Sequence, residues 1–502
     1  SDSMDRKRIE ELSQLLKQKN IPHNIIKDNN RLFILLGEFY ENKILYMRQK
    51  NLFRKKIYAL NIQTEMSKIN SVYALELSRP PVEGGFTAKV KDFLRNQRYE
   101  SRFLNESAYF AEKPLNWSNW SKIRNFLHLS TFNQYNKWEW KISFRLLYDA
   151  TFDTEDSLSN VIKDNQQFNF IPEETYWKYI EKDWQLELGF LNVKWGNLID
   201  TYIADIVNPK DMRDFILPRD SSRDRPFLGL RFNLNFEPHN IEFLYLPVAS
   251  VDYIGRHGTP FYPISSNSYS PHDINDRLPA ELPNDMGYGL RWSVNENPMG
   301  GSLFYLRSVN NEARFERTLI TNPNSPSGTT ASLRQKHFPI TKFGGTFNFA
   351  IEKYKIHLES LYVQGDKVPT TLTSVADGLV DKNSFHMGLQ IHPQIWSSTH
   401  LTLQYVIKSY LDYTDNLMVD ENEQFATIEL EHFFHNSRFL PKITAHFGTQ
   451  RGDSLIRPQV KWVPTPNLNL KLGYDLFEGD HTGTFGKYSD LDRYYLETEY
   501  SF

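Results

Sequence analysis

The chain has 502 residues, with 58 Lys and Arg against 61 Asp and Glu, and its formal net charge of -3 gives no basis for a nucleic-acid partner. It contains no cysteine, which excludes disulfides, thiolate metal sites and covalent c-type haem; no cofactor or metal is expected. Aromatic residues reach 14% while the mean hydropathy is only -0.55, a combination that suits strands with one greasy face and one wet face.

Residues 1–70 differ from the rest. "DRKRIEELSQLLKQKN" places Ile9, Leu12, Leu15 and Leu16 at helical spacing with charges opposite. "IPHNII" and "RLFILLGEF" read as strands, "YENKILYMRQKNLFRKK" as a second helix and "IYALNI" as a third strand. The segment is a small α/β unit, locally basic through Lys17, Lys19, Lys43, Arg48, Lys50, Arg54, Lys55 and Lys56, most simply a solvated face, with a binding patch as the alternative. Residues 71–84 form a linker.

From residue 85 to 502 the period becomes two. In "KWEWKISFRLLY", Trp138, Trp140, Ile142, Phe144, Leu146 and Tyr148 share one face, and Lys137, Glu139, Lys141, Ser143 and Arg145 the other. "DMGYGLRWSVN" and "NLNLKLGYDLF" repeat the pattern. These segments run about ten residues, the length that crosses a bilayer at a tilt, whereas no stretch approaches the roughly 18 apolar residues of a spanning helix. About eighteen of them (16–18) are expected, beginning near 85, 122, 137, 172, 184, 226, 239, 286, 301, 342, 354, 383, 399, 425, 440, 455, 467 and 490. Short connections such as "NQYN", "EKD", "EPH", "EK" and "PTP" alternate with long ones near 151–171, 195–225, 250–285, 311–341, 365–382, 412–424 and 477–489. That alternation predicts an antiparallel transmembrane β-barrel with short turns at one rim and long loops at the other. A propeller would show a repeat of roughly 40–50 residues, and none is present.

Lipid offers no hydrogen-bond partner, so such a sheet must close on itself. The polar face carries Arg145, Glu187, Arg231, Arg291, Glu429, Lys471 and Arg493. These charges fit a wet lumen better than a dry core, and Arg145, Arg231, Arg291 and Lys471 are expected to face it. Trp138, Trp292 and Tyr494 are candidates for the aromatic girdles.

The final strand, "LDRYYLETEYSF", places Tyr494, Leu496, Tyr500 and Phe502 on one face. It resembles the C-terminal signal of bacterial outer-membrane barrels, which implies outer-membrane lipid and the barrel-assembly machinery as partners. An even strand number then puts both termini in the periplasm. The stretch "GFLNVKWGNLIDTYIADIVNPKDMRDFILP", beginning at Gly189, is similar to a motif of largely uncharacterised outer-membrane barrels related to alginate-export-type porins. Its motif residues are Gly189, Trp195, Gly196, Asp205, Asn208, Pro209 and Asp211. The resemblance implies a barrel whose loop after the fourth strand, here 195–225, turns inward, without implying alginate as cargo.

That loop is rich in charge. Lys194, Lys210, Arg213, Arg219, Arg223 and Arg225 stand against Asp200, Asp205, Asp211, Asp214, Asp220 and Asp224. Opposed walls of charge at a constriction would orient polar solutes, with Lys194, Asp205, Asn208, Asp211, Arg213, Arg219, Arg223 and Arg225 as the constriction residues. The competing reading is an ion-pair lattice that holds the loop folded, with Asn208-Pro209 setting a turn. Residues 6–66 resemble a sporulation-related (SPOR-type) peptidoglycan-binding domain through "ELSQLLKQKNIP" and "RLFILLGEF". The family's opening strand has no counterpart ahead of Asp5, so the chain begins inside such a domain or the module is another small α/β unit.

No G-x-S-x-G, H-E-x-x-H or phosphate-loop motif occurs, and no enzyme is expected. The favoured function is a channel for passage or export of polar solutes, constricted at 195–225. The alternative is a scaffold barrel tying the outer membrane to peptidoglycan or a periplasmic complex through residues 1–70. A third is a sheath around a partner chain.

Overall fold

The computed structural model describes residues 24–28, 31–39, 61–66 and 71–76, and residues 97–502 apart from 115–116, 156–159, 215–223, 257, 265–284, 297, 322–328, 395 and 435–437. The chain divides into two compact units, residues 1–95 and 96–502. In the first, an antiparallel four-stranded sheet runs in the order Asn24–Asp28, Arg31–Phe39, Ser71–Glu76, Asn61–Met66. "RLFILLGEF" is a strand as expected. The strand expected at "IYALNI" begins instead at Asn61, and a fourth strand occupies part of the segment expected to be a linker. "SVYALE" is only six residues long and has no strict alternation of apolar and polar positions to mark it as a strand. The two expected helices lie outside the described residues.

In the second unit every barrel strand pairs antiparallel with its sequence neighbours, and the last closes on the first. The strands are β1 (Arg98–Phe110), β2 (Trp120–Tyr135), β3 (Trp138–Asp149), β4, β5 (Trp184–Leu191), β6 (Phe227–Phe236), β7 (His239–Leu246), β8 (Gly287–Glu296) and β9 (Met299–Val309). They continue with β10 (Pro339–Ile351), β11 (Tyr354–Pro369), β12 (Leu379–Pro393), β13 (Thr399–Tyr410), β14 (Asn422–His432), β15 (Phe439–Gly448), β16 (Asp453–Thr465), β17 (Leu468–Glu478) and β18 (Arg493–Ser501). β4 is interrupted: Phe168–Pro172 and Thr175–Ile180 both pair with β3, so the closed sheet has eighteen strands. The first barrel strand starts at Arg98 rather than near 85.

The outward face of β3 is the apolar set read from the sequence, with Trp138, Ile142 and Tyr148 exposed, while Ser143, Arg145 and Asp149 are buried inside. Turns of two to six residues join the strands at one rim, for example 136–137, 181–183 and 352–353; long connections occupy the other. Asn136 and Glu352, at two of the tightest turns, take positive φ of 55° and 42°. Both the start of β1 and the end of β18 lie at the short-turn rim. Among the described residues the helices are short and sit in long-rim loops: Thr151–Thr154, Asn160–Gln166 and the 3-10 turn Gly486–Leu491. At the same rim Arg314–Thr321 and Thr329–Lys336 pair as a hairpin.

Candidate functional site: the inward loops and the lumen

The connection after β5 folds into the barrel. It follows the fifth strand, not the fourth, because the interrupted strand β4 precedes β5. Its first arm carries Val193, Trp195, Leu198, Ile203, Ala204, Ile206 and Val207, all buried against inward-facing Leu244, Phe304, Leu306, Leu361, Val363 and Val406 of the wall. This apolar patch on the inner wall is what seats the loop.

Polar side chains of the wall then cap its backbone. Glu359 of β11, 1% exposed, accepts from the amides of Asn197 (2.5 Å), Leu198 (3.2 Å) and Ala204 (2.8 Å). The Ile199 amide donates to Gln390 Oε1 (3.0 Å) and Gln404 Oε1 (2.9 Å), and Gln404 Nε2 donates back to the Ile199 carbonyl (2.9 Å). Trp195 Nε1 donates to Glu242 Oε1 (2.5 Å). A loop carries unpaired backbone groups by nature; buried, each needs a partner, and the wall supplies them. Gly196 is required by closeness: a Cβ there would sit 2.7 Å from the Asp205 amide and 2.9 Å from Glu359 Oε2. Gly388 of β12 leaves room in the same way for Leu198 and Ile203.

The loop returns through an ion-pair lattice. Lys210 Nζ lies 2.8 Å from Asp205 and 2.6 Å from Asp224. Burial opposes the Lys210 charge, but Asp205 and Asp224 outweigh it and hold its pKa above the ordinary lysine value. Asp211 pairs with Arg213 at 2.5 Å. Asn208, 1% exposed, staples the two arms: its amide donates to Val193 O and Asn192 Oδ1 (both 2.7 Å) and its oxygen accepts from Val193 N (3.0 Å). Asp214 then reaches the opposite wall, 3.3 Å from Lys122 and 2.9 Å from Arg124 of β2 and 3.6 Å from Arg493 of β18. The loop therefore spans the lumen from β7–β13 to β18 and β2.

Of the residues named from the sequence, Asp205, Asn208, Asp211 and Arg213 are buried inside this lattice. Lys194 is exposed in the lumen, and the Arg225 guanidinium stacks over the Tyr253 ring at 5.0 Å. Arg219 and Arg223 lie outside the described residues. Arg145 lies on the inner wall beside Glu173 (3.5 Å) and over the Phe126 ring. Lys471 pairs with Glu497 at 2.6 Å. Arg231 pairs with Glu242 (2.5 Å) and Glu187 (3.6 Å), and Arg291 donates to the Lys194 carbonyl at 3.4 Å. On the short-turn side of the loop, Arg231, Arg291, Asn240, Ser293 and Asn348 line a polar cleft of about 290 Å³.

A second inward element lies in the connection after β7, which the sequence marks only as one of the long loops: residues 250–256 and 258–264. Asp211–Met212 pairs in parallel with Tyr253–Ile254, and Asp252 Oδ1 accepts from the Lys210 amide at 2.7 Å. Phe261 then enters an aromatic cluster with Phe110, Phe477 and Tyr488, its ring 4.9 Å from the Arg493 guanidinium. The wall acceptors Glu242, Glu359, Gln390 and Gln404 were also missed. Each is a single polar residue on an alternating strand, and their signal is only that an inward position carries an acceptor.

Solved structures similar to this one are outer-membrane barrels. OccAB1 of Acinetobacter baumannii superposes with a TM-score of 0.52 at 10% identity, over 82% of this chain and 97% of that one. The likeness is one of fold. OccAB3 of the same organism (TM-score 0.47, 12% identity, 81% and 99% covered) and the outer membrane channel DcaP (0.39, 12%, 81% and 97%) are more distant. No protein-family model and no curated protein matches the sequence.

Proposed function

We propose that the protein is an outer-membrane channel for polar solutes, with residues 192–214 as its constriction and both termini in the periplasm. The observation that carries this reading is the loop that crosses the lumen from Glu242, Glu359 and Gln404 to Lys122, Arg124 and Arg493 while leaving charged and amide side chains of the wall on its short-turn side. A barrel of about eighteen strands is wide enough to hold water. An inward segment tied to the wall at Glu242, Glu359, Gln404 and Asp214 narrows it without closing the sheet. Ion pairs of both signs near the constriction favour solutes with dipoles over a single-sign selectivity. Planar-bilayer recording tests it. The intact protein gives steady ohmic steps, and a variant lacking residues 197–206 gives larger ones. Absence of conductance in both forms refutes the channel.

A further inference from the structure

The outward positions of a membrane barrel meet lipid, and lipid supplies neither donors nor acceptors. Around most of this barrel those positions are apolar: Tyr288, Leu290 and Trp292 on β8, Leu403 and Tyr405 on β13, Leu472 on β17 are all exposed. The β18–β1–β2 sector departs from that pattern. Asn105 and Ser107 of β1, Asn125 of β2 and Thr498 of β18 have outward parity. Their neighbours Glu106 and Arg124 are buried in the lumen, where they bond Lys122 and Asp149.

Register joins these residues into one row. Thr498 is opposite Asn105, and Asn105 is opposite Asn125. The Tyr494–Tyr109 pair lies above the row and the Tyr500–Phe103 pair below it. Asn105 is thus four residues, roughly 13 Å along the strand, from the upper aromatic level, within the hydrocarbon band.

The two amides satisfy each other only in part. Asn105 Nδ2 donates to Asn125 Oδ1 at 2.9 Å, and Ser107 Oγ donates to Asn105 Oδ1 at 2.9 Å. Asn125 Nδ2 has a 3.5 Å contact with the Ile123 carbonyl. A carboxamide carries two N–H donors and two acceptor lone pairs, so capacity remains on the outer surface. Hydrocarbon makes that unfavourable. A charged partner has nothing to meet, since this row carries no charge. An amide, by contrast, is complementary to another amide, and a symmetric pairing of copies brings the same patch to itself. Ser107 and Thr498 beside it are small enough to let two sheets approach.

We propose that the β18–β1–β2 sector is an interface between copies of this chain in the membrane, where Asn105 and Asn125 hydrogen-bond to the same residues of a second copy. The absence of native cysteine makes the test direct. Asn105→Cys, oxidised in membrane fragments with a lipid-soluble copper catalyst, gives a band at about twice 59.1 kDa. Leu403→Cys, also outward-facing but on β13, stays at the single-chain mass. The parent is expected at a multiple of the single-chain mass by light scattering in mild detergent, and the double variant Asn105→Leu/Asn125→Leu keeps its heat-modifiable barrel but falls to the single-chain mass. The proposal is overturned if N105C cross-links no more than L403C, or if the parent and the double variant have the same mass.

Discussion

Glu359 offers the sharpest test of how the inward loop is held. Its carboxylate accepts three loop amides, from Asn197, Leu198 and Ala204. In Glu359→Ala these N–H groups stay buried without partners if the loop remains seated. At about 1–3 kcal/mol for each buried unsatisfied donor, seating loses roughly 3–9 kcal/mol. What remains around the capped turn is the burial of apolar side chains such as Trp195, Leu198 and Ile203, about 1.5–3 kcal/mol each, with the bonds of Trp195 to Glu242 and of Ile199 to Gln390 and Gln404. Even the lower figure, about 3 kcal/mol, shifts the seated-to-released ratio on the order of 100-fold. The β11 ladder is backbone, so the barrel itself is untouched. Released, the loop opens Lys210, buried in the lattice, to trypsin and widens the lumen. The expected result is larger, noisier single-channel steps and loop cleavage, with a parent-like thermal midpoint for the barrel. Glu359→Gln, keeping one acceptor, falls between. A Glu359→Ala protein with the conductance and trypsin resistance of the parent refutes the capping argument.

Other outcomes follow from neighbouring contacts. Phe261→Ala removes the ring that joins the second inward loop to Phe110, Phe477 and Tyr488; it costs about 3–5 kcal/mol of local stability, read as new cleavage at Arg256 in the long-rim loop, and unchanged protection contradicts the packing. Lys210 has its pKa raised by Asp205 and Asp224 against burial. A raised folded value means its contribution is fully present below the unfolded value of 10.5 and is lost as pH rises through the folded one. Subtilisin resistance of the loop is therefore flat from neutral pH to about 10, and a fall near pH 8 speaks against the pairing. Lys210→Met leaves two carboxylates uncompensated and destabilises the loop by about 3–5 kcal/mol, visible in the same digestion at pH 7. Phe502→Ala, at the exposed end of β18, lowers the amount of folded barrel recovered from outer membranes while the recovered protein melts like the parent; equal recovery removes the assembly role.

The barrel was legible because its governing rule is local. Each strand in lipid must show one apolar face, so Trp138, Ile142 and Tyr148 announce their orientation every second residue. Turn length did the rest, and the alternation of long and short connections already held the antiparallel order. The N-terminal sheet was less legible. Its strand Ser71–Glu76 is six residues long, and no second constraint such as membrane thickness fixed where it starts.

The lumen obeys a different rule, and this explains what the sequence concealed. Residues 194–225 carry six charges of each sign, and a solvated wall and a closed lattice have the same composition. Only three dimensions distinguish them: Asp205 against Lys210, Asp211 against Arg213, Asp214 against Lys122 and Arg124. The last pairing joins residues about ninety positions apart, and Ile199 meets Gln404 across 205. Such partners leave no mark in spacing, because each wall residue is only one more inward polar position. The motif glycine and asparagine are better guides than the charges. Gly196 is fixed by the approach of Glu359 and Asp205, and Asn208 by its three bonds across the loop's neck. Both point to a folded, wall-bound segment. The same logic applies on the outside, where Asn105 and Asn125 break a rule that nearly every other lipid-facing position keeps. In a membrane barrel the informative residues are the ones whose chemistry contradicts the face they occupy, and they locate the places where backbone, wall or a second chain must supply the missing bonds.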